Sequence, residues 1–205
     1  MVLFKSGWRW MKKYILGVAI PFYKQNLLCE QLFQYLKEII ELELMYECLE
    51  DDIKVIVYEN DIGLSAARNK IMEELIPDCE YITFIDSDDR ISKNFFSIIY
   101  ECLMSVESDI FITDFYINHS KFDNDGLKNH VTGVIYKTEL IKDIRFNEKR
   151  NYAEDMEFNQ EVRKLNPTIE YIPAAYYYNY GANKDCLTYR FSRGELNEFK
   201  EGSDV

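Results

Sequence analysis

Apolar residues follow two rhythms along this chain. Short solid runs alternate with longer stretches in which they recur every three or four positions. Tyr14-Ile15-Leu16-Gly17-Val18-Ala19-Ile20 is a solid run, the mark of a strand covered on both faces, and Pro21 is expected to stop it. From about Leu27 to Leu49 the helical period takes over. Leu28, Leu32, Tyr35, Ile39, Leu42 and Met45 form its stripe, which is read as the core-facing side. Ile53 to Tyr58 is a second strand, running into the turn-rich Glu59-Asn60-Asp61-Ile62-Gly63. Ser65 is expected to cap a helix through about Leu75, ended by Pro77. Tyr81 to Ile85 is a strand, and Ser92 caps a helix through about Met104. Asp109 to Tyr116 is a strand, Asn118 to Asn129 a polar loop, and Val131 to Tyr136 strand-like. Thr138 caps a short helix, and Glu154 to Leu165 is helical with Pro167 beyond it. Ile169 to Ile172 and Tyr176 to Tyr178 read as two late strands. From Phe191 the chain is polar, a short surface helix and a frayed tail.

Strand, helix, strand, helix, strand in this order implies right-handed βαβ units. The fold class expected is therefore α/β, a mixed, mostly parallel, Rossmann-like sheet flanked by helices. With 205 residues, 47% of them hydrophobic, the chain can fill one core and not comfortably two. Residues 14–190 are read as one compact domain, with 1–13 as an N-terminal extension and 191–205 as a C-terminal tail. The formal net charge of −12 argues against a nucleic-acid partner, since phosphate contacts need a basic surface. It leaves a nucleotide ligand open, because one metal ion reverses the local sign. The cysteines at 29, 48, 79, 102 and 186 are scattered, so neither a zinc site nor a disulfide framework is expected and a reducing cytoplasm fits. No apolar run approaches the length of a membrane span, and no secretory leader is seen. Residues 2–13 mix Phe4, Trp8 and Trp10 with Lys5, Arg9, Lys12 and Lys13. That composition suits a peripheral foot on the inner face of a membrane, or an extension upstream of a start at Met11.

Chemistry gathers in three places. The run Tyr81-Ile82-Thr83-Phe84-Ile85 ends in Asp86-Ser87-Asp88-Asp89, at the strand end where open α/β sheets place ligands. Carboxylates this close repel one another, and a hard divalent ion on a diphosphate would hold them. An exposed acidic turn that caps the next helix is the plainer alternative. Gly63-Leu64-Ser65-Ala66-Ala67-Arg68-Asn69 gives a tight turn and small residues that let a helix lie close to the sheet. Arg68 there suits a phosphate, or ties down the acidic loop. Glu154, Asp155 and Glu157 crowd a helix start, where the dipole favours negative charge and where one carboxylate can serve as a general base. His119 and His130 could shuttle protons or bind a metal, with solvated loop residues as the plainer reading, and Tyr176, Tyr177, Tyr178 and Tyr180 read as a half-buried strand or a sugar-stacking shelf.

The order of these segments is more specific than any one of them. Ile20-Pro21-Phe22-Tyr23, then the Gly63 to Asn69 turn, then Phe84 to Asp89, then Glu154-Asp155 with Phe158, resembles a family 2 glycosyltransferase of the GT-A fold over roughly Tyr14 to Leu187. The resemblance implies a metal-dependent, inverting transfer from a nucleoside diphosphate sugar, UDP-linked by expectation, to a hydroxyl acceptor such as a glycan or polysaccharide precursor. It implies that Pro21 and Tyr23 line the nucleotide base and that Arg68, Ser87 and Glu154 lie near the donor. Asp86 would approach the ribose, and Asp86 and Asp88 would hold Mn²⁺ or Mg²⁺ with help from Asp89. Asp155 would be the catalytic base. Cys186-Leu187-Thr188 matches the small-residue run after the last strand of the family.

The chain also departs from the family. Members usually carry an Asp-Asp-Gly-Ser turn, a helix and a further strand ahead of the glycine turn. Here Val55-Ile56-Val57-Tyr58 leads straight into it, so Glu59 or Asp61 would take over the base-holding carboxylate. Lys24 stands where asparagine is usual, and no histidine follows in Tyr180-Gly181-Ala182-Asn183. Those departures keep a second reading, a catalytically degenerate nucleotide- or sugar-binding module. A nucleotidyltransferase is the weakest rival, since Phe22-Tyr23-Lys24-Gln25-Asn26 is no glycine-rich phosphate loop.

Overall fold

The computed structural model describes residues 12–23, 27–59, 61–117, 120–122, 130–150, 152–178 and 192–194. Strand β1 (Tyr14–Phe22) leads to helix α1 (Leu27–Tyr46), β2 (Ile53–Glu59), α2 (Leu64–Leu75) and β3 (Cys79–Phe84). Then come β4 (Arg90–Ile91), α3 (Phe95–Ser105), β5 (Ile110–Ile117), β6 (Ser120–Phe122) and β7 (Val134–Lys137). The short α4 (Thr138–Ile141), α5 (Glu154–Lys164) and β8 (Ile169–Tyr178) complete the described elements.

One sheet runs in the order β2-β1-β3-β7-β5-β8-β4, with β6 on β5. The long ladders β1–β2, β1–β3 and β5–β8 are parallel, while β7 is antiparallel to both β3 and β5. Because β7 reverses the direction twice, β5 and β8 point the same way as β1, β2 and β3. The carboxyl ends of five strands therefore share one rim, the side where such sheets bind ligands.

Two apolar layers sandwich the sheet. On one face α1 and α3 pack Leu36, Ile40, Phe95, Phe96 and Ile99 against Leu16, Val18, Ile20 and Tyr81. On the other, α2 and α5 pack Ile71, Met72, Leu75, Phe158 and Val162 against Ala19, Ile82, Phe84 and Ile112. Alternate residues of β1 thus feed alternate cores, as the pleat requires. A Cβ at Gly17 would lie 3.0 Å from Cys79 Sγ and from both Leu75 methyls, so α2 approaches β1 there as closely as a bare backbone allows.

Several local expectations are corrected. Pro21 does not end β1, which continues to Phe22 with Pro21 opposite Tyr58 of β2. On the β3 side the ladder stops at Ala19, so Pro21 sits where no partner on that side needs its missing N–H. Most of the stripe expected to face the core from α1 faces outward instead, with Leu32 and Ile39 partly buried and Ile39 packed against the core. Tyr35 is 48% exposed, Leu42 50% and Met45 51%, while Cys29, Leu36, Ile40 and Leu44 are buried. Both sets fit a helical period, and they lie on adjoining flanks of the helix. Ser65, Ser92 and Thr138 are not side-chain caps. The residues before α2, α3 and α4 are Gly63, Asn94 and Lys137, none with a capping side-chain bond. Ser65 is buried inside α2, Ser92 pairs with Ala175 of β8, and Thr138 donates to the carbonyls of Cys79 and Glu80. The two late strands are a single β8, whose register against β5 shifts between Thr113 and Asp114. Two residues, Pro173 and Ala174, fit into that shift, which is where a strand tolerates a proline.

Where α3 begins, its cap comes from across the core. Glu43 of α1 is buried, and its Oε1 accepts the N–H groups of Phe96 at 2.7 Å and Ser97 at 3.0 Å. Those are first-turn donors that the helix itself leaves unpaired. Burial pushes the Glu43 carboxyl up to about 7, partly offset by the two N–H groups.

Candidate active site

Arg68 lies in the second turn of α2 and is fully buried. The turn that puts it there depends on Gly63, whose φ of 91° and ψ of 151° fall in a region that L side chains rarely enter. Arg68 Nη2 donates to Asp86 Oδ1 at 2.9 Å. Its Nη1 donates to Glu154 Oε1 at 3.0 Å and, in a short bond, to Asp155 Oδ1. One guanidinium therefore joins the strand end of β3 to the first turn of α5. Its ring-side partner is Phe146, 5.2 Å from the guanidinium carbon. The next residue, Asn69, clamps the Phe146 backbone at N–H and carbonyl, both 2.9 Å, and also reaches Glu148. Phe146 stacks on Phe158 at 4.2 Å, which seats α5 on this support.

The start of α5 is held in a strained conformation. Ala153 has φ 62°, a left-handed backbone uncommon for alanine. The helix that follows opens with Glu154, buried, and Asp155, partly buried. Asp155 is held from two sides, with its Oδ2 accepting the Val131 N–H at 3.2 Å. Burial, and then the neighbouring Asp155, raise the Glu154 carboxyl to about 7 against the opposing pull of Arg68. For Arg68 burial works the other way, but Asp155, Asp86 and Glu154 outweigh it and keep the guanidinium charged.

The acidic loop after β3 is anchored from β8. Tyr176, fully buried, receives the Asp86 N–H on its hydroxyl at 3.1 Å and donates that hydroxyl to Asp89 Oδ2 at 2.7 Å. Burial and the adjoining Asp89 hold the Tyr176 hydroxyl in its protonated form. Asp89 is thus a buried anchor, while Asp86, Ser87 and Asp88 are partly exposed at the rim. Among the described residues, no group of three or more histidine, cysteine, aspartate or glutamate side chains is placed to hold a metal by itself. Asp86 and Asp88 offer hard oxygen donors only, which is the donor type of an ion that takes its other ligands from phosphate and water.

Of the residues singled out in the sequence, Asp86, Glu154 and Asp155 are brought together directly, by Arg68. Pro21 and Tyr23 lie at the carboxyl end of β1. Glu59 ends β2 opposite Phe22, and the exposed Asp61 follows. These four occupy the β1–β2 end of the same rim. His130 is not a solvated residue. Its ring stacks on the buried Phe115 at 5.0 Å and 10°, and burial lowers its pKa against the pull of Asp155 and Asp86. The proposed assignments for Lys24, His119, Tyr180 and 186–188 fall outside the described residues. Sequence reading missed Tyr176 as an anchor, the Val131 N–H and the Glu43 cap. A tyrosine or glutamate at helical or strand spacing carries no signal of the loop it will meet.

Known proteins resemble this architecture. The profile of the family described as Glycosyl transferase family 2 matches residues 33–166. Glycosyltransferase GlyA of Streptococcus pneumoniae is 25% identical over 187 residues, covering 76% of this chain and 25% of that protein. Glycosyltransferase GlyG of the same organism is 29% identical over 121 residues, covering 58% and 38%. The chain thus spans about a quarter to two fifths of the curated relatives it matches. Among solved structures, S. aureus TarS 1-349 in complex with UDP-GlcNAc superposes with a TM-score of 0.60 at 19% identity, over 80% of this chain and 58% of that one. The catalytic domain of Drosophila beta1,4galactosyltransferase 7, in complex with xylobiose, gives 0.53 at 16% identity, over 77% and 64%.

Proposed function

The chain belongs to glycosyl transferase family 2, and from that premise we propose that it moves a sugar from a nucleoside diphosphate donor to a hydroxyl acceptor with inversion. The observation that carries this reading is the bridge from Asp86 through Arg68 to Asp155. It joins Asp86, proposed to face the donor diphosphate, and Asp155, proposed as the general base, through one buried guanidinium. In the reaction proposed, the bond from the anomeric carbon to the phosphate oxygen breaks and a bond to the acceptor oxygen forms on the opposite face. The acceptor proton passes to Asp155, and the nucleoside diphosphate leaves. Asp155 suits the role because Arg68 and the Val131 N–H fix both of its oxygens in place. Charge building on the anomeric carbon resembles an oxocarbenium ion, which the surrounding carboxylates tolerate.

Asp86 and Asp88 are proposed to hold Mn²⁺ or Mg²⁺ together with donor phosphate oxygens. When bound, the ion neutralises charge on the leaving diphosphate. Pro21, Tyr23, Glu59 and Asp61 are proposed to receive the nucleotide base, with Ser87 and Glu154 near the donor. Arg68 acts through Asp86 and Asp155, since its terminal nitrogens are committed to carboxylates. A UDP-linked donor is the first choice, because TarS was crystallised with UDP and with UDP-GlcNAc. Residues 14–190 are proposed as the transfer unit, acting in the cytoplasm on a glycan or polysaccharide precursor. No helix among the described residues is long and apolar enough to cross a membrane. The foot proposed for residues 2–13 lies almost wholly outside the described residues.

Calorimetry tests the donor side. UDP should bind in the presence of Mn²⁺, lose most of that affinity with chelator, and lose it in Asp88→Ala. Equal binding in all three arms would contradict the metal assignment. A different observation favours the alternative of a binding module without catalysis: β2 runs directly into the turn before α2, which leaves a shortened nucleotide region. Donor binding with no metal-dependent release of UDP from UDP-sugars would decide for that alternative.

A further inference from the structure

Phe115 of β5 is buried and carries rings on both sides. Tyr176 lies parallel to it at 5.5 Å and 8°, and His130 at 5.0 Å and 10°. Tyr178 of β8 completes the group, 6.0 Å from Phe115 and 5.7 Å from His130. Phe115 and Tyr176 are sealed, whereas His130 and Tyr178 are half-buried at the carboxyl-end rim.

This ring group is tied to the carboxylates from two directions. Beneath it, the Tyr176 hydroxyl holds the Asp86 N–H and Asp89. Beside it, the backbone at 130–131 is pinned by α5: Asn159 Nδ2 donates to the His130 carbonyl at 2.9 Å, and the Val131 N–H donates to Asp155. The His130 ring is thus one residue away from the group that grips the Asp155 carboxylate. Strand order separates it from the site proposed for the nucleotide base. From β1 through β3 and β7 to β5 is three strand steps, on the order of 14 Å.

A general base must lie within hydrogen-bond reach of the hydroxyl it deprotonates. Whatever carries that hydroxyl therefore also lies beside the rings that flank the base. A half-buried pair of flat rings with a neutral imidazole offers apolar faces and one polar edge. A pyranose offers the complement, with C–H groups on one face and hydroxyls at its rim. Resting on the transfer reading above, we propose that His130 and Tyr178 form the platform for the terminal pyranose of the acceptor. The acceptor class is then a glycan end, and a small alcohol or a lipid hydroxyl is not the substrate.

The chain has two histidines, so imidazole proton resonances report on the platform with little overlap. The full chain is titrated with methyl glycosides of glucose, galactose, N-acetylglucosamine and rhamnose, and separately with UDP and Mn²⁺. The platform predicts that at least one glycoside shifts one imidazole, that this signal is absent in His130→Gln, and that binding weakens about 2- to 10-fold in Tyr178→Ala, the range expected for a lost ring contact. Tyr178→Phe, which keeps the ring, should retain it. If no glycoside moves the His130 resonance, or if only UDP does, the proposal is overturned. Donor hydrolysis by the wild-type chain is measured alongside. Its absence with the glycoside shift intact would count against the transfer reading and leave the platform standing.

Discussion

Arg68 meets Asp86 at 2.9 Å through one terminal nitrogen and keeps the other for Glu154 and Asp155 at the start of α5. The loop after β3 and the first turn of α5 come from opposite halves of the chain, and this guanidinium fixes their separation. Removing one side of a buried ion cluster leaves the other uncompensated. Arg68→Leu is therefore expected to lower folding stability by about 3–5 kcal/mol, read as a fall in urea midpoint. The loss should be greater at pH 8 than at pH 5, because the orphaned carboxylates must then stay charged. Arg68→Lys should lie between, since an ammonium cannot reproduce the fork.

Glu43 supplies a pH-dependent stability term away from the site. Its carboxyl stands at about 7 in the folded chain, above its ordinary 4.5. Between those two values the unfolded chain has released the proton and the folded chain keeps it. The unfolded state is favoured progressively, so stability falls as pH rises from about 4.5 to about 7 and is level beyond. Glu43→Gln keeps an oxygen for the Phe96 and Ser97 N–H groups and cannot ionise. Its stability should fall less over that window than that of the wild type, and exceed it at pH 8. Parallel urea-midpoint profiles for the two proteins would refute this.

The outward stripe of α1 makes a contrast that can be measured. Leu36 is fully buried and Leu42 half-exposed on the same helix. Leu36→Ala should cost about 2–5 kcal/mol, and Leu42→Ala less than about 1 kcal/mol. If the stripe assigned from periodicity were the core side, the order would invert.

Gly63 and Ala153 set the two turns that aim the site. Gly63→Ala forces a side chain into its special backbone region and should cost on the order of 1–3 kcal/mol, with a matching loss of UDP release as Arg68 shifts. Ala153→Gly relieves the left-handed strain and should raise the thermal midpoint. A lower midpoint in that variant would mean the strain is not real.

How much of this was legible beforehand depends on what each residue has to do. The strands could be read because solid apolar runs such as Tyr81 to Phe84 have few alternatives, and the parallel order followed from strand–helix alternation. Asp86 and Asp155 could be singled out by the order of the segments and the resemblance it carries, and Arg68 brings the two together. The face of α1 could not be read, because two apolar stripes share the helix and only the position of α3 and the sheet selects between them. The helix starts were misassigned for a similar reason: Ser92 and Thr138 found tertiary partners in place of their own helices, and Ser65 lies buried one residue inside α2. Tyr176 and His130 became visible as parts of the site only when β5 and β8 came together.

The central claim is that Asp155 takes the acceptor proton while the rest of the site holds the donor. Release of UDP from UDP-GlcNAc and other UDP-sugars, with Mn²⁺ and a glycan acceptor, should be measured in the wild-type chain and in Asp155→Asn, with UDP affinity measured in both. The account predicts that UDP affinity changes little while turnover falls about 10²- to 10⁴-fold, the usual contribution of a positioned base. Equal turnover in the two proteins would contradict it.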